Sequence, residues 1–508
     1  MVKRALISVY DKSGIDDFAQ KLVRNNYEII SSGGTAKHLS ENGIKVTLVR
    51  EITGTKEMLD GRVKTLHPHI FGGILAREQD GEELMKLGIG FFHMVVCDLY
   101  PFEDVVSKPD VDFENAIENI DIGGVSLIRA GAKNFERVIV ISDTADFEWI
   151  AEKIEHDGVT FEERLSLAKK SFMYTTRYDS AIANFLSRQD GRDQTLPSTI
   201  CIPIVKIADL RYGENPHQRG ALYRELGQGT ALPFEKHQGK KLSFINIIDM
   251  ESAITIANSF AEVTAAIIKH TNPCGIGIGK DTLEAYQRAL STDSMSAFGG
   301  IIGLNRKVTE KTAMEIIKSF KEVVVAPSYD TGALEIFKKK KNLRIVQIDK
   351  QTYRTLDYRA FFGGWLIQET DTYEINENEW EFVSNRKPDE SERNALRFAW
   401  KVVGFVKSNA IVLTDNTRTI GIGAGQMSRI DAAELAVKKA KQAGLDVKGT
   451  FLASDAFFPF RDSIDFAAKE AITAVIEPGG SKRDSEVIEA ANEHNIVLVF
   501  THRRHFRH

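Results

Sequence analysis

The sequence predicts an α/β protein of more than one domain, and three observations carry that prediction. From residue 4 to 50, short apolar runs alternate with amphipathic segments, the pattern of strands joined by crossover helices in a parallel sheet. The chain has 508 residues, too many for one core and enough for about two to four domains. A polar stretch containing Gly and Pro, residues 188–198, reads as a linker and puts a boundary near residue 195.

Composition narrows the function classes. With 43% hydrophobic and 27% charged residues the chain is an ordinary globular sequence. A net charge of -5 gives no basic field for nucleic acid, so any phosphate-bearing ligand must be met by a local site. Cys97, Cys201 and Cys274 are too few and too scattered for a disulfide framework, which points to a reducing compartment. The apolar run after Met1 is too short for a signal peptide, and no stretch approaches the ~20 residues that span a bilayer. A cytoplasmic protein without membrane or nucleic-acid partners is expected.

Taken in order, Ala5 to Val9 reads as a strand, Ile15 to Asn25 as a helix, Tyr27 to Ile30 as a strand, and Val46 to Val49 as a third strand. The loops Asp11-Lys12-Ser13-Gly14 and Ser31-Ser32-Gly33-Gly34-Thr35 each open a helix. Free N–H groups and the positive end of a helix dipole make such loops candidate phosphate cradles. Neither has the Walker or Gly-x-Gly-x-x-Gly spacing, so nucleotide triphosphate hydrolysis and dinucleotide binding gain no support. Arg62, Lys64, His67 and His69 then crowd into a segment broken by Gly and Pro. A strand Met94 to Cys97 leads to Leu99-Tyr100-Pro101-Phe102, and Asp121-Ile122-Gly123-Gly124 opens a helix ending at Lys133-Asn134. Thr160 and Glu163 have capping-box spacing ahead of a long helix reaching about Leu186.

Beyond the linker, Ala266 to His270 is an apolar strand ending on a Lys-His pair and expected to break into a loop at Asn272-Pro273-Cys274-Gly275. Two readings of the pair stay open: a solvated strand end, or a base and a cation at a ligand-binding mouth. Gly421 to Gly425 reads as a tight strand-to-helix turn, with Arg429 just inside the helix. The basic end, His502 to His508, follows a strand that could hold it, although such tails are usually disordered. Ala265 to Gly275 and Ile472 to Gly480 form a faint internal repeat, as two related α/β subdomains would give.

These motifs, in this order, resemble the PurH family of bifunctional purine-biosynthesis proteins over essentially the full length. The resemblance implies a methylglyoxal-synthase-like doubly wound cyclohydrolase domain over residues 1–195. Residues 196–508 would be a formyltransferase domain of two cytidine-deaminase-like subdomains. A deaminase-type zinc site is not expected, because Pro273-Cys274 lacks a second Cys three residues on. The implied chemistry is formyl transfer from 10-formyltetrahydrofolate, a cosubstrate, to the 5-amino group of aminoimidazole-carboxamide ribonucleotide (AICAR). Cyclisation of the formylated nucleotide (FAICAR) to inosinate (IMP) follows, with no catalytic metal. By the same resemblance His270 is the base and Lys269 the transition-state stabiliser. Arg211, Tyr212, His217, Gly299, Glu322, Asn409, Arg429 and Arg504 would meet the nucleotide, and Ile430, Phe457, Asp462, Ser481 and Lys482 the folate. For cyclisation Lys64, Tyr100, Asp121 and Lys133 match catalytic positions, Lys133 as proton donor/acceptor. Lys12, Ser13, Gly33, Gly34, Thr35, Arg62 and Thr65 would hold phosphate and ribose. The family implies a homodimer. Tyr10 departs from the small residue that family members often carry. A ligand-sensing module without chemistry, and a formyltransferase for another amine, are the rival readings.

Overall fold

A computed structural model describes residues 2–108, 111–187, 196–225, 232–348, 355–372 and 375–508. The chain divides into two compact units, Met1–Val205 with Arg224–Thr230, and Lys206–Tyr223 with Ala231–His508. The boundary expected near residue 195 lies outside the described residues.

In the first unit, five strands are β1 (Lys3–Ser8), β2 (Tyr27–Ser31), β3 (Val46–Leu48), β4 (Met94–Cys97) and β5 (Ile139–Ile141). They form one parallel sheet in the order β3-β2-β1-β4-β5, with Ala5 opposite both Ile29 and Met94. The order reverses beside β1, and in such sheets ligands bind beyond the carboxyl ends of the strands at that point. Helices α1 (Ile15–Arg24), α2 (Gly33–Glu41), α3 (Pro68–Leu75), α4 (Gly123–Lys133) and α5 (Phe147–Glu155) supply the connections. The third strand is one residue shorter than expected because Val49 already starts a short helix, Val49–Thr53. The capping box forms: Glu163 N–H donates to Thr160 Oγ1 at 3.2 Å and Thr160 N–H to Glu163 Oε2 at 2.8 Å. It starts the 27-residue helix α6 (Phe161–Ser187). From α6, Tyr174 and Tyr178 accept hydrogen bonds from the backbone N–H groups of Leu99 and Asp121, anchoring two loops at the ligand-binding edge.

The second unit is built twice from one plan. Its first half runs β6 (Glu235–Gln238), α7 (Phe244–Asn258), the hairpin β7 (Val263–Lys269) and β8 (Asn272–Gly279), α8 (Thr282–Thr292), β9 (Ile301–Leu304), α9 (Glu310–Ile316), β10 (Val323–Ala326), α10 (Thr331–Phe337) and β11 (Arg344–Gln347). The second half repeats it as β12 (Glu381–Phe382), α11 (Glu390–Val403), the hairpin β13 (Ile411–Thr414) and β14 (Thr419–Gly423), α12 (Arg429–Gln442), β15 (Phe451–Ser454), α13 (Asp462–Lys469), β16 (Ala474–Glu477), α14 (Asp484–Glu493) and β17 (Val497–Phe500). Sheet orders β8-β7-β9-β10-β11-β6 and β14-β13-β15-β16-β17-β12 correspond strand for strand, with the same parallel and antiparallel pairs. Helices α7 and α11 share one core, where Met250, Ile254 and Phe260 join Phe398 and Trp400.

The duplication corrects three sequence expectations. Asn272 to Gly275 is a strand, not a loop. Pro273 is tolerated because β8 is an edge strand and its register shifts between Pro273 and Gly275. Gly421 and Gly423 likewise lie in a strand, β14, where a Cβ would come within 2.2 and 1.9 Å of the Ala436 and Ala432 carbonyls of α12. Gly277 has the same relation to α8, a Cβ there falling 2.5 Å from the Ala285 carbonyl. The glycines are spaced by two because each lets a helix lie on the sheet. Finally, the repeat is real but its pairing differs. Ala265–Gly275 corresponds to the hairpin β13–β14, while the stretch from Ile472 corresponds to β10, which also runs into a proline, Pro327.

Candidate active sites

In the first unit, candidate residues meet at the ends of β1 and β2. Thr35, buried at the start of α2, donates to the Val9 carbonyl (2.9 Å) and accepts from the Val9 N–H (3.2 Å), which locks the two cradle loops together. Lys12 Nζ donates to Thr35 Oγ1 at 3.2 Å and to the Val9 carbonyl. Burial lowers the Lys12 pKa, opposed by the charges of Asp98 and Asp11. Lys64 Nζ lies over the backbone of both cradle and loop: a Cβ on Gly33 would stand 3.1 Å from it and one on Gly61 3.0 Å. Glu57 is 3.7 Å away. Together Ser32, Gly33, Lys37, Glu57 and Lys64 line a cavity of about 270 Å³. Thr65 reaches the start of α4, where a Cβ on Gly123 would be 3.4 Å from its Oγ1. Asp121 accepts from the Gly124 N–H at 2.6 Å, and burial raises its pKa. Arg62 is exposed and paired with Glu118, while Ser13 N–H caps back onto Asp11. Tyr100 meets Tyr10 edge to face with centroids 5.8 Å apart, so the departing Tyr10 stacks on a candidate catalytic ring.

Lys133 stands apart. It is the exposed last residue of α4, and ten residues of helix put it about 15 Å from Gly123. The next residue, Asn134, donates to the carbonyls of Ile74 and Ala76 at the far end of α3. Within one chain the structure does not bring Lys133 to Lys64 and Asp121.

In the second unit, β7 ends on Lys269, and His270 and Thr271 form the two-residue turn into β8 with φ of 95° and 64°. Neither is glycine, so the turn is strained by about 1–3 kcal/mol per residue and needs outside support. Asp249 gives it: its carboxylate, buried on α7, accepts the Thr271 N–H at 2.6 Å. Burial raises the Asp249 pKa, while the Thr271 N–H and the charges of His270 and Lys269 act against that rise. Lys269 Nζ donates to the Phe298 carbonyl at 2.8 Å and lies 3.2 Å from where a Gly299 Cβ would be. Glu322 N–H donates to the Gly300 carbonyl, and its side chain pairs with the buried Arg344. Arg344 in turn donates to the Lys241 carbonyl (3.2 Å), one residue before Leu242, whose carbonyl receives the Arg211 N–H at 2.9 Å. Tyr212 accepts from the Phe244 N–H at the start of α7, and the Arg211 guanidinium lies 5.3 Å from the Tyr212 ring centroid. His217 is exposed in the adjoining turn.

The second half closes on the same hairpin. Lys407 N–H donates to Asn272 Oδ1 at 2.9 Å, which places Asn409 beside the turn. Arg429, first residue of α12, pairs with the wholly buried Asp455 and donates to the Phe457 carbonyl. The basic tail is held: Ser408 and Arg507 exchange hydrogen bonds, His505 N–H reaches the Asp455 carbonyl, and Arg504 lies over the Phe506 ring at 4.5 Å. Phe457 is half exposed, Ile430 half-buried, and Asp462 opens α13. Ser481 N–H caps onto Asp484, with Lys482 exposed next to it. Lys269, His270, Cys274, Asp293 and Lys439 line a cavity of about 280 Å³. Burial pushes the Cys274 thiol up to about 12, so it lines the cavity as an inert group. Among the described residues no cluster of three or more His, Cys, Asp or Glu side chains could hold a metal, and no helix could cross a membrane.

Sequence reading missed Asp249, Asp455 and the buried Lys321, whose pKa burial lowers, with Lys269 adding to that effect. Asp249 had little signal, because Glu251 stands two residues on in the same mostly apolar stretch, Phe244 to Ile254. Asp455 had none, since an acid after a strand is common.

Comparison with known proteins agrees with this layout. The MGS-like domain family matches residues 14–126, and the AICARFT/IMPCHase bienzyme family matches residues 131–439. The bifunctional purine biosynthesis protein PurH of Oceanobacillus iheyensis is 47% identical over 520 residues, covering 100% of both chains. That of Aquifex aeolicus is 47% identical over 510 residues, covering 99% of this chain and 100% of its own. The chain belongs to the AICARFT/IMPCHase bienzyme family.

Proposed function

We propose that the two sites carry out the last two steps of inosinate synthesis. In the second unit, the 5-amino group of AICAR attacks the formyl carbon of 10-formyltetrahydrofolate. His270 takes the amine proton, Lys269 faces the oxyanion, and tetrahydrofolate leaves, giving FAICAR. A positioned base supplies about 10²–10⁴-fold, and alignment of two bound substrates supplies much of the rest. The observation that carries this reading is the strained turn, which sets His270 beside Lys269, with Lys269 reaching the Phe298 carbonyl next to Gly299 and Lys407 bonded to Asn272 at the other side of the turn. In the first unit, the FAICAR carboxamide nitrogen attacks the formyl carbon, the ring closes, and the former formyl oxygen leaves as water. Lys12, Thr35 and the cradle loops hold the phosphate. With Lys133 at the far end of α4, the proton transfers within one chain fall to Lys64, Tyr100 and Asp121. Burial raises the Asp121 pKa, the direction an acid–base group needs. The bound species are small molecules and a reduced folate, with no catalytic metal. The protein works in the cytoplasm without nucleic-acid or membrane partners. A homodimer is part of the proposal, supported by the hairpin Leu356–Phe361/Gly364–Glu369, whose Phe362, Trp365 and Leu366 are exposed.

The test is product identity. Purified protein given AICAR and 10-formyltetrahydrofolate yields IMP, and Lys269→Ala with His270→Ala abolishes that while leaving FAICAR cyclisation intact. IMP formation that survives both changes overturns the assignment.

A further inference from the structure

Glu477 is a carboxyl that no step above uses. It is the last residue of β16, has no exposed surface, and its Oε1 has no hydrogen-bond partner among the described residues. Oε2 accepts the Gly479 N–H at 2.9 Å. The Phe458 amide lies close enough to favour the anion, though without ordinary hydrogen-bond geometry to Oε1. The carboxyl therefore sits between two loops, the one after β15 that carries Phe457 and the one after β16 that carries Ser481 and Lys482. The fold itself asks for nothing polar here, because the matching last residue of β10 in the first half is Ala326, also followed by a proline.

We infer that Glu477 is a positioning residue for the folate side of the formyltransferase site, clipping the Phe457–Phe458 loop to the Gly479–Lys482 loop. The inference rests on the reading of Phe457, Ser481 and Lys482 as folate-side residues. One bonded backbone donor, the Gly479 N–H, and the nearby Phe458 amide explain why a carboxyl is kept where an apolar side chain would pack. Its environment also holds it neutral. Burial raises its pKa to about 8, with Asp484 on α14 adding to the rise and the Gly479 and Phe458 amides and Arg429 on α12 opposing it. As a neutral acid it keeps an acceptor for the loop and avoids an unpaired buried charge. Once ionised, it pulls in water and loosens the clip.

Steady-state kinetics of the full-length enzyme, with each substrate varied at about pH 7 and about pH 9, tests this. In Glu477→Leu the KM for 10-formyltetrahydrofolate rises about tenfold, while the KM for AICAR and kcat stay within about threefold. Glu477→Gln, which keeps shape and acceptor, restores a low folate KM. At about pH 9 the wild-type folate KM rises and that of Glu477→Gln does not. Equal losses for both substrates, or a failure of Gln to rescue, overturn the inference. If the Leu variant does not fold, the comparison of wild type with Gln at the two pH values decides alone. Phe457→Ala separates the two readings: an unchanged folate KM there removes the folate-side assignment itself. A raised one beside an indifferent Glu477 removes only the clip.

Discussion

The two hairpins of the second unit have the same topology and opposite uses. In β7–β8 the turn is His270-Thr271, both residues in left-handed conformations, supported by Asp249 from another element. In β13–β14 the turn is self-contained: Asp415 Oδ1 accepts from the N–H groups of Thr417 and Arg418, and Oδ2 pairs with Arg418. The second hairpin also serves the first. Arg418 pairs across to Gly277 by backbone bridging and donates to Ser291, and Thr419 Oγ1 accepts the Ile276 N–H. A duplicated fold thus supplies a scaffold twice, and the pair proposed as reactive stands at the turn that is strained and supported from outside.

The widest expected difference is catalytic. His270→Ala or Lys269→Ala lowers formyl transfer about 10²–10⁴-fold. Arg418→Ala in the other hairpin lowers it less than about tenfold, since it only trims a positioning contact. Initial rates with AICAR and the folate cosubstrate measure both, with FAICAR cyclisation as the control. Similar losses from the two hairpins would break the comparison.

Next comes the support. Asp249→Ala leaves the Thr271 N–H without its acceptor and frees the strained turn, so kcat falls about 10–100-fold. Asp249→Asn keeps an oxygen acceptor and recovers most of the loss. The kcat of each variant, read with far-UV circular dichroism, checks this, and an Asn variant as poor as Ala would mean that charge, not turn geometry, is what matters.

Stability should ignore the functional split. A methyl at Gly277 or at Gly423 meets a helix backbone carbonyl, at 2.5 and 1.9 Å respectively. Overpacking against backbone costs about 1–3 kcal/mol, with the closer Gly423 contact at the upper end. Denaturant unfolding of Gly277→Ala and Gly423→Ala measures it. A large effect in one half only would show that the halves differ in packing as well as in use.

Much of this architecture was legible in the sequence. Alternating strands and helices gave the first unit, and the Thr160–Glu163 box marked the start of α6. The duplication was legible only faintly. Its real signal is the glycines spaced by two in β8 and β14, which read as turns because Pro273 and Gly275 break local strand propensity. Tertiary packing of a helix on those glycines overrides the local preference. Lys133 reads as a catalytic neighbour in sequence and stands a helix length away in space. Asp249 and Glu477 were hidden because a buried carboxyl is recognised by what surrounds it.

A last difference contrasts the ends of β10 and β16, Ala326 against Glu477. Ala326 has nothing to titrate, so the first half carries no such dependence at that position. Burial pushes the Glu477 carboxyl up from the ordinary glutamate range near 4.5 to about 8. For a raised pKa the folded state holds the proton more tightly, so the contribution is fully present below the unfolded value. It is lost as pH climbs from about 4.5 to about 8, where the unfolded chain has already released its proton. Glu477→Gln removes this loss. Its melting temperature relative to wild type should therefore rise steadily across that window and level off above it. Each 1 kcal/mol corresponds to about 1.5–2 °C for a unit of nearly 300 residues. A melting-temperature difference between the two proteins that is flat from pH 4.5 to 8 would show that Glu477 is ionised in the folded protein, and that the end of β16 differs from that of β10 in contacts alone.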